Sequence, residues 1–240
     1  MSVTTYFLSN NCFVCRAQAY WIILDAKHDQ YLCVAHDDLM TIGHRLYGWR
    51  DQCLDTEHRP SPRVEEEPLI DSLLASEIIT RNPKDGKSFA ESVHPVRERS
   101  IDTPERVASA KPSALCILRF LLACARVDWQ LRTKVLSRTL AQIERRRRHG
   151  VSSAVNDDAA HVSTVISAFK ALRPYYPRPY LCLFESLALL EFLARYRLFP
   201  HVVFGVVADP FQAHCWLQEG PIVLNDNLER VRKFRPILCV

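Results

Sequence analysis

The last sixty residues constrain the fold of this chain more than any other part of it. Residues 181–196, LCLFESLALLEFLARY, are apolar on nearly every face, which is typical of a central buried helix. Three strand-like segments follow, HVVFGVV, FQAHCWLQ and PIVLND, and the turn signals ADP and EGP separate them. A buried helix followed by a small sheet predicts an α+β fold class.

Cys182 lies in the first turn of this helix, directly after the helix-blocking run PYYPRPY. Backbone N–H groups at a helix start have no partner within the helix, and together with the helix dipole they lower the pKa of a nearby thiol. Cys182 is therefore a candidate nucleophile. A cysteine on an apolar helix is by itself more often a small core residue, so its role depends on partners further along the chain.

His214 lies in the strand-like segment FQAHCWLQ, and Asp226 ends the next segment. With a three-residue turn over 219–221, strand pairing places His214 directly opposite Asp226, within reach of a hydrogen bond between imidazole and carboxylate. A shorter turn places it opposite Asn225 instead, which is also a workable orienting group. The combination with Cys182 predicts a nucleophile, a base and a group that orients the base.

The sequence pattern of the N-terminal third predicts a separate β/α unit over residues 1–84. Its first part carries the strand-like segments TYFL, FVCRA, AYWIILDA and QYLCVA. A helix is then expected, capped by Asp37 or Asp38, because apolar residues recur at helical spacing from there. A second helix is predicted over 65–79. The unit thus consists of a few strands followed by helices.

Residues 85–111 are polar and contain prolines, which is typical of a linker between domains. From Ser113 the helical pattern returns and continues to a basic run that Gly150 ends, as expected for a helix C-terminus. Another helix is predicted over 157–172. We therefore expect the second domain to occupy 112–240.

Composition and charge narrow the possible partners. The formal net charge of +4 comes mostly from two local runs, RRRR and RVRKFR, and is no signature of nucleic-acid binding. The N-terminal sequence has no basic region followed by an apolar core, and the longest apolar stretches are too short to span a membrane. The 9 cysteines, irregularly spaced, are typical of reduced thiols in the cytoplasm. We expect a cytoplasmic protein without nucleic-acid or membrane partners.

The pair Cys12-x-x-Cys15 has the spacing of a zinc or redox site. No second CxxC and no HxxxH accompanies it in the sequence, so two reduced thiols in a strand are the expected state. We predict no metal site.

Residues 180–227 resemble the C-terminal domain of lasso-peptide B proteins. The resemblance is carried by a Cys-Leu-x-x-Ser-Leu helix, a Gly-Val strand end, Pro-Phe, an Ala-His-x-Trp strand and an Asn-Asp strand end. These proteins are transglutaminase-like, papain-like cysteine peptidases that remove the leader from a ribosomally made lasso precursor. The resemblance implies that Cys182 is the nucleophile, His214 the base and Asp226 the orienting group, with no cofactor. The chain departs from the family pattern at Gln218, where an acidic residue often ends the His strand.

Residues 1–84 are similar, in the order and length of their elements, to the PqqD-like recognition element of RiPP maturation. That resemblance implies a small winged-helix-like unit that captures the leader as an added β-strand against its last strand and last helix. The implied leader-binding residues are Gln30, Tyr31, Leu32, Cys33, Val34, Leu69, Ile70 and Leu73.

The function implied by both resemblances is a cysteine endopeptidase that binds the leader of a lasso-peptide precursor and cleaves at the leader–core junction. The expected partners are this precursor and an asparagine-synthetase-like, ATP-dependent cyclase that then closes the ring. Two alternatives stay open: a transglutaminase-like amide transferase with the same triad, and a non-catalytic leader-binding adaptor.

Overall fold

The computed structural model describes residues 4–49, 65–92, 94, 96–101, 112–149 and 159–240. Contacts between residues divide the chain into two compact units. One comprises Met1–Val93 with Val206–Gln212, and the other comprises His94–Gly205 with Ala213–Val240. The described residues form seven α-helices and three sheets, which confirms the α+β class.

Six short strands form two sheets in the first unit. They are β1 Phe7–Ser9, β2 Cys12–Ala17, β3 Tyr20–Asp25, β4 Gln30–Ala35, β5 Ile79–Thr80 and β6 Gly86–Lys87. One three-stranded sheet has the order β2-β3-β4 and is antiparallel, and the other has the order β5-β1-β6. The strand-like segments predicted between residues 3 and 35 are confirmed. The two-residue strands β5 and β6 are too short to carry a sequence pattern and were not predicted.

Two helices complete this unit. Helix α1 spans His36–Ile42 and α2 spans Glu66–Ala75. The prediction that Asp37 or Asp38 caps α1 is wrong. Both residues lie in the first turn of the helix, where carboxylates interact favourably with the helix dipole. Helix α2 is shorter than predicted because the chain turns after Ala75 to enter β5. The winged-helix-like arrangement of these elements stays a prediction.

The second unit contains five helices. They are α3 Ala114–Thr133, α4 Leu136–His149, α5 Ala159–Leu172, α6 Cys182–Ala194 and α7 Leu228–Val231. The hydroxyl of Ser113 caps α3 by accepting from the N–H of Cys116 at 3.2 Å. The continuous helix predicted from Ser113 is in fact two helices, because Lys134 is extended and ends α3. Gly150, predicted to end this helix, lies outside the described residues.

Helix α6 is the central buried helix that its sequence predicts. It packs against α3 and α5, where the rings of Phe120, Phe169 and Phe192 lie 5.5 to 6.4 Å apart. Its one deeply buried carboxylate, Glu191, is paired with arginine side chains, including Arg126 at 3.3 Å. A buried charge is tolerated only when it is paired in this way.

The second unit's sheet has five strands. They are β7 Arg99–Ser100, β8 His201–Val207, β9 Gln212–Glu219, β10 Ile222–Val223 and β11 Arg235–Cys239. The strand order is β11-β8-β9-β10-β7, and β7 runs parallel to β10. Strands β6 and β7 both fall inside the predicted linker 85–111, and its residues 102–111 lie outside the described part of the chain. These strands exist through pairing with distant residues, which a polar, proline-bearing sequence does not reveal.

No helix in the described part of the chain is long and apolar enough to cross a membrane.

Gly205 allows β8 to approach the buried ring of Trp216. A Cβ at this position would lie 2.8 Å from the Trp216 ring and 2.9 Å from the Cβ of Phe234. We expect Gly205→Ala to lower the free energy of unfolding by about 1–3 kcal/mol, the usual cost of overpacking a core. Urea denaturation followed by tryptophan fluorescence measures this, with Ala213→Ser on an exposed position of β9 as the control. An alanine variant as stable as the parent would contradict the prediction.

Candidate active site

Cys182 is the first residue of α6, and its thiol is surrounded by hydrogen-bond donors. The pKa of Cys182 is lowered, first of all by a hydrogen bond with the ring of His214. Burial acts in the opposite direction, and the backbone N–H groups of Cys215 and Leu183 add to the lowering. The thiolate is therefore stabilised where the sequence predicted it.

Four cysteines in the described part of the chain differ from Cys182 in this respect. Burial raises the thiol pKa to about 12 for Cys12, Cys124 and Cys215 and to about 11 for Cys239. Cys12 and Cys15 are both buried in β2. Among the described residues, no group of three or more His, Cys, Asp and Glu side chains is arranged to hold a metal ion.

The ring of His214 is buried and lies between the thiol and a carboxylate. Its Nε2 lies 2.5 Å from Oδ2 of Asp226, so Nδ1 is the ring nitrogen left for Cys182. Burial by itself lowers the pKa of His214, but the hydrogen bonds with Asp226 and Cys182 outweigh it and raise the pKa to about 9. The imidazolium is therefore the stable form at neutral pH, hydrogen-bonded to the carboxylate of Asp226 on one side and to Cys182 on the other.

The predicted register between the two strands is wrong, although the predicted contact forms. Strands β9 and β10 are joined by two residues, Gly220 and Pro221, not by three. Continued pairing in this register would not place His214 opposite Asp226. The contact forms because β10 ends at Val223 and the chain then bends out of the ladder. The strand pattern thus predicted the contact between His214 and Asp226, but not the bend after Val223 through which it forms.

Arg173 braces the loop that leads to the nucleophile, and sequence reasoning missed it. Its guanidinium is 2% exposed and donates to the carbonyls of Tyr176 and Arg178 at 3.0 and 2.9 Å. It also donates to Oε1 of Glu185, in the first turn of α6, at 2.6 Å. One side chain therefore ties the loop to the helix start at Cys182. An arginine in a proline-rich loop carries no sequence signal for this role.

The two residues just before the nucleophile are exposed. Tyr180 is 66% exposed and Leu181 is 55% exposed. The guanidinium of Arg173 lies 4.4 Å from the centroid of the Tyr180 ring, within the range of a cation–π contact. Two exposed apolar side chains thus lie directly before Cys182, where a substrate could contact them.

Gln218 departs from the resembled family for a visible reason. Its amide nitrogen donates to the carbonyls of Gly220 and Val96 at 2.8 and 3.1 Å, and its oxygen accepts from the indole of Trp216 at 3.1 Å. A carboxylate could not donate to these carbonyls. The amide suits the surroundings that this chain provides.

The predicted leader-binding residues of β4 lie on the edge strand of the sheet β2-β3-β4. Leu32 and Cys33 are exposed, whereas Val34 is buried. Gln30, Tyr31 and Leu32 line a groove of about 340 Å³ whose other wall includes Ala75 and the three residues after it. The structure therefore brings β4 together with the end of α2.

The predicted leader-binding residues of α2 have a different environment. Ile70 and Leu73 are fully buried in the core of the first unit, and Leu69 packs partly buried against it. Their side chains hold α2 in place rather than line the groove beside β4.

The C-terminal half of the chain has a recognisable relationship to a known family. Residues 121–239 match the family model described as the transglutaminase-like superfamily. Residues 121–239 form a transglutaminase-like domain. This domain contains Cys182, His214 and Asp226, and it fits a cysteine peptidase or transferase in general. Comparisons with curated proteins and with solved structures found no match.

Cys182 should react with iodoacetamide near neutral pH ahead of Cys12, Cys33, Cys124, Cys215 and Cys239. The pKa of Cys182 is lowered, whereas the pKa values of these five thiols are raised. Cys33 is an internal control, since it is accessible to the reagent but partial desolvation of its thiol raises its pKa. In His214→Ala the largest cause of the lowering is gone, so the alkylation rate at pH 7 should fall and its pH midpoint should rise. Peptide mapping by mass spectrometry measures both rates. Faster alkylation of Cys33 than of Cys182 in the parent chain would contradict the assignment.

Proposed function

We propose that this chain is a cysteine endopeptidase that binds the leader of a lasso-peptide precursor and cleaves it at the leader–core junction. The observation that carries the chemistry is the chain of hydrogen bonds from the Cys182 thiol through His214 to Asp226. The choice of substrate is supported by the resemblance of residues 180–227 to lasso-peptide B proteins.

The triad can perform acyl transfer with its own groups. The Cys182 thiolate attacks the carbonyl carbon of the scissile bond, and the N–H of Cys182 at the helix start is positioned to donate to the oxyanion. His214, as imidazolium, gives its proton to the leaving amine, which departs and leaves a thioester. Neutral His214 then takes a proton from water as water attacks the thioester. The acid product is released, and the Cys182 thiolate and the His214 imidazolium are restored. Asp226 holds the ring and stabilises its charged form throughout.

Recognition of the leader is proposed to occur at β4. The N–H of His36 donates to the carbonyl of Ala19 at 2.9 Å, in register with the β3–β4 ladder. Because hydrogen-bonded pairs alternate in an antiparallel ladder, the N–H of Leu32 also faces β3 whereas that of Cys33 faces away. An extended peptide can add to this side of β4 by main-chain hydrogen bonds, with side chains entering the groove beside α2.

The product of this reaction is a core peptide with a new N-terminal amine. We propose that an asparagine-synthetase-like, ATP-dependent cyclase takes it up and closes the ring, and that both reactions take place in the cytoplasm. No metal or organic cofactor is needed for the acyl transfer described above.

An amide transferase is the second candidate, because the match to the transglutaminase-like superfamily fits it equally. The two functions share the acyl-enzyme and differ in whether water or an amine attacks it. Incubation with a labelled primary amine separates them: a transferase incorporates the label, and a peptidase releases the free acid. A non-catalytic adaptor is disfavoured by the lowered pKa of Cys182.

Incubation of the precursor with this protein and the cyclase should release the leader, detected by mass spectrometry. Cys182→Ala and His214→Ala should each reduce cleavage by about 10³-fold or more, since nucleophile and base act as a unit. Asp226→Ala should be milder, and Asp226→Asn should recover part of the loss by holding the ring. Cys239→Ala, in the same domain with a raised pKa, is the matched control. Near-normal cleavage by Cys182→Ala would overturn the triad.

Leader affinity should fall in Cys33→Pro, because proline removes the N–H that faces away from β3 and leaves the ladder to β3 intact. Cys33→Ala changes the same side chain but keeps the N–H, so it should bind as the parent chain does. Fluorescence anisotropy with a labelled leader measures both, and circular dichroism checks that the proline variant is folded. A folded Cys33→Pro variant with unchanged affinity would show that β4 is not the docking edge.

A further inference from the structure

Beside the three proposed catalytic residues lies a second network of four hydrogen-bonded groups. The hydroxyl of Ser186 donates to the backbone carbonyl of Cys215 at 3.0 Å and accepts from the side-chain amide of Asn225 at 3.0 Å. The oxygen of the same amide accepts from the N–H of Leu217 at 2.7 Å. Ser186 and Cys215 are buried, so these bonds form largely out of contact with water.

We call Ser186, Cys215 and Asn225 the inner set. Each of them is close in sequence to one of the residues Cys182, His214 and Asp226. Ser186 follows Cys182 by four positions and therefore lies on the same face of α6, one turn further on. Cys215 directly follows His214, and Asn225 directly precedes Asp226. Bonds among the inner set therefore fix the distances between the three elements that carry the triad.

Asn225 has a particular role because Asp226 lies beyond the end of β10. The last ladder bond runs from the N–H of Leu224 to the carbonyl of Leu217 at 2.9 Å. A continued ladder would return a bond from the N–H of Leu217 to the carbonyl of Leu224, but this N–H donates to Asn225 Oδ1 instead. The side chain of Asn225 thus replaces the backbone carbonyl of Leu224 as the acceptor for Leu217, at the point where the chain bends toward His214.

We infer that Ser186 and Asn225 are positioning residues, which hold His214 and Asp226 in reach of Cys182 without contacting the substrate. Without the inner bonds, the bend after Val223 loses its tie to α6 through Ser186 and its tie to β9 through Asn225. The ring of His214 then spends less time between the thiol and the carboxylate. The thiolate loses its partner, and the rate of acyl transfer falls although the substrate surface is unchanged.

Alkylation of Cys182 by iodoacetamide over a pH series tests this inference in the full chain. In Ser186→Ala and Asn225→Ala we expect the midpoint of the alkylation profile to move upward and the rate at pH 7 to fall about fivefold to tenfold, because a one-unit rise in pKa lowers the thiolate fraction tenfold. The rate at pH 10 should stay near that of the parent chain. A variant that merely loosens the fold would instead expose several thiols and raise their rates.

Two further variants make the test decisive. Asn227→Ala removes the other asparagine beside Asp226, whose oxygen caps α7 by accepting from the N–H of Glu229 at 2.7 Å, and should keep the parent profile. Ser186→Cys keeps the unbranched shape of the buried side chain, with a slightly larger sulfur that is only a weak hydrogen-bonding group. It therefore replaces Ser186→Ala if that variant fails to fold. A folded variant of Ser186 or Asn225 with the parent pH midpoint would overturn the inference.

The inference deepens the proposed function, and the measurements keep the two apart. Alkylation needs no peptide, so a shifted profile supports the positioning role even if the precursor is not cleaved. Where cleavage is measured, we expect a lower kcat with little change in KM, since the inner set lies behind the triad. Cleavage by the parent chain together with unshifted profiles would uphold the peptidase and reject the positioning role.

Discussion

The burial of α6 is the constraint on which the second unit depends. A helix that is apolar on nearly every face must be surrounded, and here α3 and α5 cover it while the hydroxyl of Ser186 joins it to β9. Because the helix is fixed on several sides, its first residue is fixed as well. Cys182, the proposed nucleophile, therefore lies on a rigid element rather than on a loop, and the loop held by Arg173 leads into it.

Burial also sets the electrostatics of the site. It opposes charge on Cys182, on His214 and on Asp226 alike, and their mutual hydrogen bonds overcome it in each case. The pKa of the imidazole rises, whereas the pKa values of the thiol and of the carboxyl fall. Each of the three groups therefore favours the charged form of its neighbour, and removal of one group weakens the charged form of the others. Because of this mutual dependence, we expect small displacements of the bend after Val223 to weaken all three charged forms.

Sequence reasoning was most successful where a residue's role follows from local pattern. The apolar run of α6, the alternation of β9 and the proline-rich break before Cys182 are all local. They pointed to Cys182, His214 and Asp226, which the structure brings together. It failed on the turn between β9 and β10, because strand alternation is compatible with turns of two or three residues and with alternative ends of the ladder. It also missed Arg173 and β7, whose partners are distant in the chain and leave no periodic signal.

The sequence by itself determined that an apolar helix would be buried with Cys182 at its start, and that a histidine strand and an aspartate would follow. Hydrophobic periodicity and helix-blocking residues act over a few positions, so these features are encoded where they occur. Only the tertiary structure decided that Asp226 reaches His214 through a bend, that Asn225 and Ser186 anchor this bend, and that Arg173 ties the loop to the helix. These contacts join residues from separate elements, and their geometry depends on how the elements pack rather than on any one segment.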